Sequence, residues 1–235
     1  MSHVAENLEK VKTVIAKAAE RSGRSPDSVL LVAVTKTKPA DMVREAMEAG
    51  HFDFGENYAQ ELRDKAAEIG DDRARWHFIG HLQKNKVKYL VGLVHDIQSL
   101  DRIEPARELE KRAGKQGSVM RAFLEVNLGE EETKSGALVG EVMELIDEFK
   151  SMEHIELVGL MTMPPFFDDP EGSRPYYRRL RELRDEMREK TGDPDFMPEL
   201  SMGLSGDYEV AIEEGATMVR VGTAIFGERP TGHQR

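Results

Sequence analysis

The chain has 235 residues, no cysteine and a formal net charge of −11, from 33 basic and 44 acidic side chains. The lack of cysteine excludes disulfides, thiolate nucleophiles and Cys-ligated metals, and the acidic excess argues against a nucleic-acid or anionic-membrane surface. The longest apolar run, Val29–Val34, has six residues and no apolar leader follows Met1, so we expect a cytoplasmic protein without a membrane span or signal peptide.

Apolar runs alternate along the chain with amphipathic stretches. The N-terminal segment predicts a helix over about residues 2–22, and the run Val29–Val34 is typical of a parallel strand buried on both faces. Pro39 suits the first turn of a helix that reaches Ala49. Further strands are predicted near residues 52–56, 76–81, 94–99, 118–128, 155–162, 199–203 and 217–222. Further helical segments are predicted at residues 58–68, 84–91, 102–113, 137–150, 172–190 and 207–214.

Eight strand-then-helix units favour a closed barrel, because each unit averages roughly 29 residues, about the minimum for a βαβ repeat. We therefore predict an α/β fold in which residues 1–235 form a single (β/α)₈ TIM barrel domain with an extra N-terminal helix. An open doubly wound sheet is the alternative, but neither G-x-G-x-x-G nor G-x-x-x-x-G-K-[ST] occurs in the chain.

The proline-rich stretch from Met163 to Pro170 follows the sixth predicted strand. Such a segment forms either a long loop over the catalytic face of the barrel or an ordinary surface connection. The sequence leaves both possibilities open.

Lys36 lies where the first apolar strand meets the loop that leads to Pro39. In barrels of this type the chemistry belongs to the carboxyl ends of the strands. Apolar neighbours and a second cation, Lys38, are both expected to favour an uncharged, nucleophilic amine, which is what a Schiff-base lysine requires. A solvated lysine in a connecting loop is the alternative.

The last two predicted strands carry candidate anion-binding groups. Arg220 lies within the apolar eighth strand and, because arginine is almost never buried unpaired, we expect it to have a specific acceptor. Gly222 and Thr223 follow it and offer backbone N–H groups and a hydroxyl to a phosphate. The seventh strand ends in Ser201–Asp207, whose glycines and hydroxyls form a second potential anion nest.

The ends of the second and third predicted strands carry polar side chains. Asn57 is either a hydrogen-bonding partner of a ligand or the cap of the following helix. His77 and His81 are four residues apart on the predicted third strand and are therefore expected on one face of it, but no third ligand is evident, which argues against zinc. His81 is either a neighbour of the ligand or a hydrogen-bonded structural histidine.

Six segments of the chain carry a joint resemblance. They are Val32–Pro39, Phe54–Tyr58, Trp76–Gln83, Gly159–Met163, Leu200–Asp207 and Val219–Thr223. Together they are similar to the pyridoxal phosphate homeostasis protein family, and also to the barrel domain of alanine racemase. The resemblance runs from the N-terminal helix to Gly227.

This resemblance implies that pyridoxal 5′-phosphate (PLP) is bound as a Schiff base to Lys36. It implies further cofactor-binding residues, namely Asn57 near the ring and Ser201, Gly203, Gly222 and Thr223 around the phosphate. From its place at a strand end, His81 is counted with them as a neighbour of the cofactor. Arg220 would face the pyridine nitrogen. Because a guanidinium cannot accept the pyridinium proton, the ring would remain a poor electron sink.

The implied function is intracellular PLP homeostasis, by storage of the cofactor and transfer to apo-enzymes, with little or no turnover. The resemblance to alanine racemase implies a catalytic tyrosine from a second domain, whereas this chain ends eight residues after Gly227. We therefore expect a monomeric protein that is not an enzyme and that binds neither nucleic acid nor membrane. A PLP-dependent amino-acid racemase is the first alternative. The second is a phosphate-binding barrel enzyme whose Lys36 forms a Schiff base with a sugar phosphate.

Overall fold

The structure, a computed structural model, describes residues 2–129 and 135–228. Eight parallel strands follow one another around a closed barrel, and β1 pairs with β8 through Val32 and Arg220 to close it. The strands are β1 (Leu30–Val34), β2 (Asp53–Glu56), β3 (Arg75–Phe78), β4 (Asp96–Leu100), β5 (Met120–Glu125), β6 (Ile155–Met161), β7 (Glu199–Ser201) and β8 (Met218–Val221). The predicted (β/α)₈ barrel is confirmed.

Helices connect the strands on the outside of the barrel. They are α1 (His3–Arg21), α2 (Ala40–Glu48), α3 (Ala59–Ile69), α4 (Ile103–Gln116), α5 (Val142–Lys150), α6 (Arg174–Thr191), α7 (Tyr208–Glu213) and α8 (Thr223–Phe226). The helix predicted at 84–91 is instead a 3₁₀ helix, Lys84–Tyr89, because Val87 is its only buried side chain and no apolar stripe supports an α-helix. No helix within the described residues is long and apolar enough to cross a membrane.

The predicted N-terminal helix is confirmed as α1. The Ser2 hydroxyl caps it by accepting a hydrogen bond from the Ala5 N–H at 3.3 Å. Leu8, Val11 and Ile15 lie on its buried face, and each contributes about 1.5–3 kcal/mol by leaving water. The helix packs against α2, α7 and α8, so it covers the part of the barrel that the four-residue α8 is too short to cover.

The interior of the barrel is divided between apolar and polar side chains. Most of the apolar core lies between strands and helices, and only a small cluster fills the barrel itself: Leu30, Val32, Phe123, Val158, Met161 and Met218. The described strands also carry buried polar side chains, among them Asp53, His77, Asp96, Gln98, Ser201 and Arg220. Buried polar groups require hydrogen-bond partners, so the interior is a network rather than an apolar plug.

Three of these residues form an ionic cluster, consisting of Asp53, His77 and Asp96. His77 Nδ1 lies 2.8 Å from Asp96 Oδ2, and its Nε2 lies 3.2 Å from Asp53 Oδ1. Both ring nitrogens therefore face carboxylates, which only accept hydrogen bonds. Burial alone would lower the pKa of His77, but the charges of and hydrogen bonds to Asp96 and Asp53 outweigh burial and raise the pKa to about 9.

Stability is expected to fall at alkaline pH because of His77. Its pKa rises from 6.5 to about 9 on folding, so its contribution is complete below about pH 6.5 and is lost as the pH rises through 9. We expect a loss of up to about 3 kcal/mol from this group. The measurement is the free energy of unfolding in urea at pH 6.5 and pH 10, for the wild type and for His77→Gln. If the two proteins lose the same amount, His77 does not carry this charge.

Candidate functional site

A cavity of about 710 Å³ lies at the carboxyl ends of the strands, a volume suited to a small ligand. Six of the eight predicted site residues line it: Lys36, Asn57, His81, Arg220, Gly222 and Thr223. Ser201 and Gly203 lie outside its lining. The barrel thus brings together side chains from the first, second, third and eighth strand ends.

Lys36 is half-buried in the loop after β1, and hydrogen bonds hold this loop on both sides of it. Thr35 Oγ1 donates to Glu56 Oε1 at 2.7 Å, and the Thr37 N–H donates to Glu61 Oε1 at 2.7 Å. Thr37 has a φ of 63°, which is uncommon for a β-branched residue and persists only where surrounding contacts require it. The backbone that presents Lys36 is therefore fixed.

Lys38 has a different role from the one expected. Its ammonium group donates to the carbonyl oxygens of Phe226, Gly227 and Glu228 at 3.0, 3.0 and 2.8 Å. The side chain therefore joins the Lys36 loop to the segment after β8. This connects two walls of the cavity.

Replacing Lys38 by methionine is expected to destabilise the protein by about 1–3 kcal/mol, because three carbonyl oxygens lose their donor. Unfolding in urea measures the effect. Lys38→Arg keeps donors at this place and is expected to lose less. An unchanged unfolding midpoint for Lys38→Met would show that the link is not structural.

Arg220 is buried on β8 at the floor of the cavity, with 2% of its surface exposed. The acceptors expected for it are the Ser201 hydroxyl, 2.5 Å from Nη1, and the Thr162 carbonyl oxygen, 2.9 Å from Nη2. Ser201 is fully buried, and its hydroxyl also donates to Gln98 Oε1 at 2.7 Å. The Ser201 side chain therefore supports Arg220 from below, a role that the sequence analysis missed.

The wall between β7 and β8 is formed by the turn that follows β7. Gly203 has a φ of +98°, and a Cβ at this position would lie 2.6 Å from Ala211 Cβ, so packing requires glycine here. Ser205 lines the cavity, and its Oγ accepts from the N–H groups of Gly222 at 3.1 Å and Ala224 at 3.4 Å. Since this oxygen accepts twice, its own proton is left to donate to a ligand.

Asn57 does not cap the following helix. The residue at the cap position of α3 is Tyr58, and no side chain caps that helix. Among the described residues, Asn57 Oδ1 is a buried atom without a hydrogen-bond partner, and Asn57 lines the cavity. A buried acceptor left unpaired is available to a donor on a ligand.

The two histidines of the third strand are separated by the fold. β3 ends at Phe78, so His77 lies inside the barrel whereas His81 lies exposed at the cavity rim, with its Nε2 2.9 Å from Arg102 Nη2. The shared strand face expected for them is therefore wrong. Within residues 2–129 and 135–228, no group of three or more His, Asp or Glu side chains is arranged to hold a metal ion.

Glu125, at the end of β5, is a further cavity residue that the sequence analysis missed. Burial and the charge of Asp101 raise the pKa of Glu125, the charges of Arg220 and Arg102 oppose them, and the net result is a pKa of about 7. A charged residue that ends the apolar strand Met120–Glu125 was the available signal.

The proline-rich stretch forms part of the cavity wall. Residues 163–167 line the cavity, and Phe166 is 88% exposed. Of the two predictions, the loop over the strand ends is the one that the structure supports.

Comparisons with known proteins agree with this geometry. A family model described as "Alanine racemase, N-terminal domain" matches residues 3–230. A protein of Aquifex aeolicus named pyridoxal phosphate homeostasis protein is 47% identical over 224 residues, which cover 95% of this chain and 97% of that protein. A protein of the same name from Pseudomonas aeruginosa is 41% identical over 232 residues, or 99% of this chain and 98% of that protein. The structure of PipY from Synechococcus elongatus, solved with PLP bound, is 33% identical with a TM-score of 0.83, and the match covers 95% of this chain and all of that one (100%).

Proposed function

The chain belongs to the pyridoxal phosphate homeostasis protein family, and from this premise we propose that its cavity binds PLP for storage and for transfer to apo-enzymes. We further propose that Lys36 holds the cofactor as a Schiff base and that the protein has little or no turnover. The observation that carries the proposal is the placement of an amine, a guanidinium and phosphate-binding groups around one cavity.

The described residues fit PLP group by group. Lys36 offers the amine that an aldehyde carbon requires, and a Schiff base forms there with loss of one water. Ser205 and Thr223 present hydroxyl groups to a phosphate beside Gly222, whose N–H already donates to Ser205 Oγ. Asn57 Oδ1 supplies an unpaired acceptor for a hydroxyl donor.

The surroundings of Arg220 favour storage of the cofactor over catalysis. When bound, PLP supplies an electrophilic aldehyde and an electron-withdrawing ring. Arg220 donates hydrogen bonds and cannot accept one. If Arg220 faces the ring nitrogen, that nitrogen therefore stays unprotonated. Ser201 and the Thr162 carbonyl fix the guanidinium in this role. Stabilisation of a substrate carbanion would therefore be weak.

Titration of the purified protein with PLP tests the proposed function. We expect saturable visible absorbance that reaches one chromophore per chain. A protein that carries no bound chromophore after free PLP has been removed would overturn the proposal. The alternative would then be an enzyme whose Lys36 acts on a sugar phosphate.

Ser205→Ala is expected to weaken binding of PLP roughly tenfold or more, because a hydrogen bond to a charged phosphate is lost. Binding of pyridoxal, which lacks the phosphate, should change little. The measurement is the ratio of the two dissociation constants in the wild type and in the variant. An equal loss for both ligands would show that Ser205 shapes the wall without binding phosphate.

Glu125 keeps the racemase alternative open. It lies in the same cavity, and burial raises its pKa to about 7, which suits a group that moves protons at neutral pH. The test is exchange of deuterium from solvent into the Cα position of amino acids, compared with free PLP and with Glu125→Gln. Exchange well above free PLP that disappears in Glu125→Gln would favour a racemase, and the absence of exchange would favour storage.

A further inference from the structure

A chain of hydrogen-bonded side chains connects the cavity to the ionic cluster inside the barrel. Arg220 Nη1 donates to Ser201 Oγ at 2.5 Å, and Ser201 Oγ donates to Gln98 Oε1 at 2.7 Å. Gln98 Nε2 then donates to Asp96 Oδ1 at 3.1 Å. All four side chains are buried, so the chain is shielded from solvent.

The donors in this chain can point in one direction only. A guanidinium has no acceptor, so Ser201 Oγ accepts from Arg220 and must place its single proton on Gln98 Oε1. The Gln98 NH₂ group then faces Asp96. A flipped amide would set its oxygen against the Asp96 carboxylate, two acceptors in contact, at a large cost in a buried site.

The direction is set at the far end of the chain. Asp96 Oδ2 is occupied by His77 Nδ1 at 2.8 Å, and His77 is held in turn by Asp53 at 3.2 Å. Asp96 thus presents one carboxylate oxygen to His77 and the other to Gln98. Gln98 thus meets a fixed acceptor on one side and a fixed donor on the other.

We propose that Gln98 is a positioning residue for Arg220. The ionic cluster orients the Gln98 amide, Gln98 orients the Ser201 hydroxyl, and Ser201 holds the guanidinium at the floor of the cavity where the ligand ring lies. The ligand's identity rests on the proposed function, whereas the positioning itself is a property of the ligand-free protein.

Hydrogen exchange of the Arg220 side chain, followed by NMR in the ligand-free protein, tests the positioning directly. Gln98→Met keeps the bulk of the side chain and removes the hydrogen bonds with Ser201 and Asp96. We expect the Arg220 guanidinium protons to exchange about tenfold faster, as when one buried hydrogen bond is lost. Met218→Leu is the matched control, because it removes the hydrogen bond that Gln98 Nε2 donates to Met218 Sδ at 2.9 Å and leaves the bonds of Gln98 with Ser201 and Asp96 in place.

A double-mutant cycle shows whether Gln98 acts through Ser201. Ser201→Ala removes the acceptor of Arg220 and should accelerate exchange by itself. If the effect passes through Ser201, Gln98→Met adds little to Ser201→Ala. Additive effects, or an Arg220 exchange rate in Gln98→Met equal to that of Met218→Leu, would overturn the proposal. If Gln98→Met does not fold, Gln98→Asn, which is one methylene too short to span both partners, replaces it.

The PLP-loaded protein gives a second readout. We expect the visible spectrum of bound chromophore to shift in Gln98→Met and to keep its wild-type form in Met218→Leu. A wild-type protein that takes up no PLP would refute the proposed function while leaving the exchange result to decide on Gln98. A wild-type protein that takes up PLP, with an unshifted spectrum and unchanged exchange in Gln98→Met, would refute only the role of Gln98.

Discussion

Replacing Lys36 by alanine is expected to abolish the borohydride-stable attachment of PLP to the protein. Lys36 is the lysine in the cavity lining, and its loop is fixed by hydrogen bonds at Thr35 and Thr37. Without its amine, the proposed site would keep only non-covalent contacts to PLP, from Ser205, Thr223, Asn57 and Arg220. We expect the dissociation constant to rise by about a hundredfold or more, equivalent to about 3 kcal/mol. Intact mass after reduction, together with visible absorbance, measures both effects.

Lys84→Ala is the matched control for this experiment, because Lys84 is an exposed lysine on the 3₁₀ helix after β3. It should take up one reducible label per chain, as the wild type does. A Lys36→Ala variant that still accepts one label with wild-type affinity would contradict the assignment of Lys36.

Asp96→Asn is expected to destabilise the protein by about 3–5 kcal/mol, the usual result of removing one partner from a buried charge pair. The variant keeps the shape of the side chain. It leaves His77 with a single carboxylate, Asp53, and sets the new NH₂ group against the donor of either His77 or Gln98. Unfolding in urea at pH 7 gives the magnitude, and NMR titration of His77 should show a lower pKa than in the wild type.

Asp64→Asn provides the comparison, since Asp64 pairs with Arg63 on an exposed helix face. Such pairs contribute little, so its unfolding midpoint should stay near that of the wild type. A similar midpoint for Asp96→Asn would mean that the ionic cluster contributes no net stability to the barrel.

The barrel was predictable because its strands have a clear hydrophobic pattern in the sequence. An uninterrupted apolar run such as Val29–Val34 fits a strand covered on both faces, and eight such units leave few alternatives to closure. The helical segment predicted at 84–91 is a 3₁₀ helix, Lys84–Tyr89, because a single buried side chain, Val87, gives no apolar stripe for an α-helix.

Site residues at strand ends were the predictable part of the cavity. Lys36 and Arg220 were found because a charged residue at the end of an apolar strand needs water, a ligand or a specific hydrogen-bond partner. Ser205 was missed in favour of Ser201 because β7 ends at Ser201, and beyond this point a turn, not strand alternation, decides which hydroxyl faces the cavity.

The ionic cluster could not be predicted from the local sequence pattern. Its members lie on three different strands, Asp53 on β2, His77 on β3 and Asp96 on β4. In the sequence each of them is only a polar residue within an apolar segment. Their pairing depends on the register that closure imposes: Asp53 stands beside Arg75, and His77 beside Asp96. Only the closed barrel shows that these interruptions satisfy one another.

Peptide mapping of the wild-type protein after incubation with PLP and reduction with borohydride tests the central claim most directly. The account predicts a single pyridoxyl-phosphate adduct per chain, located on Lys36. An adduct found mainly on another lysine, or spread over surface lysines with Lys36 unlabelled, would contradict it.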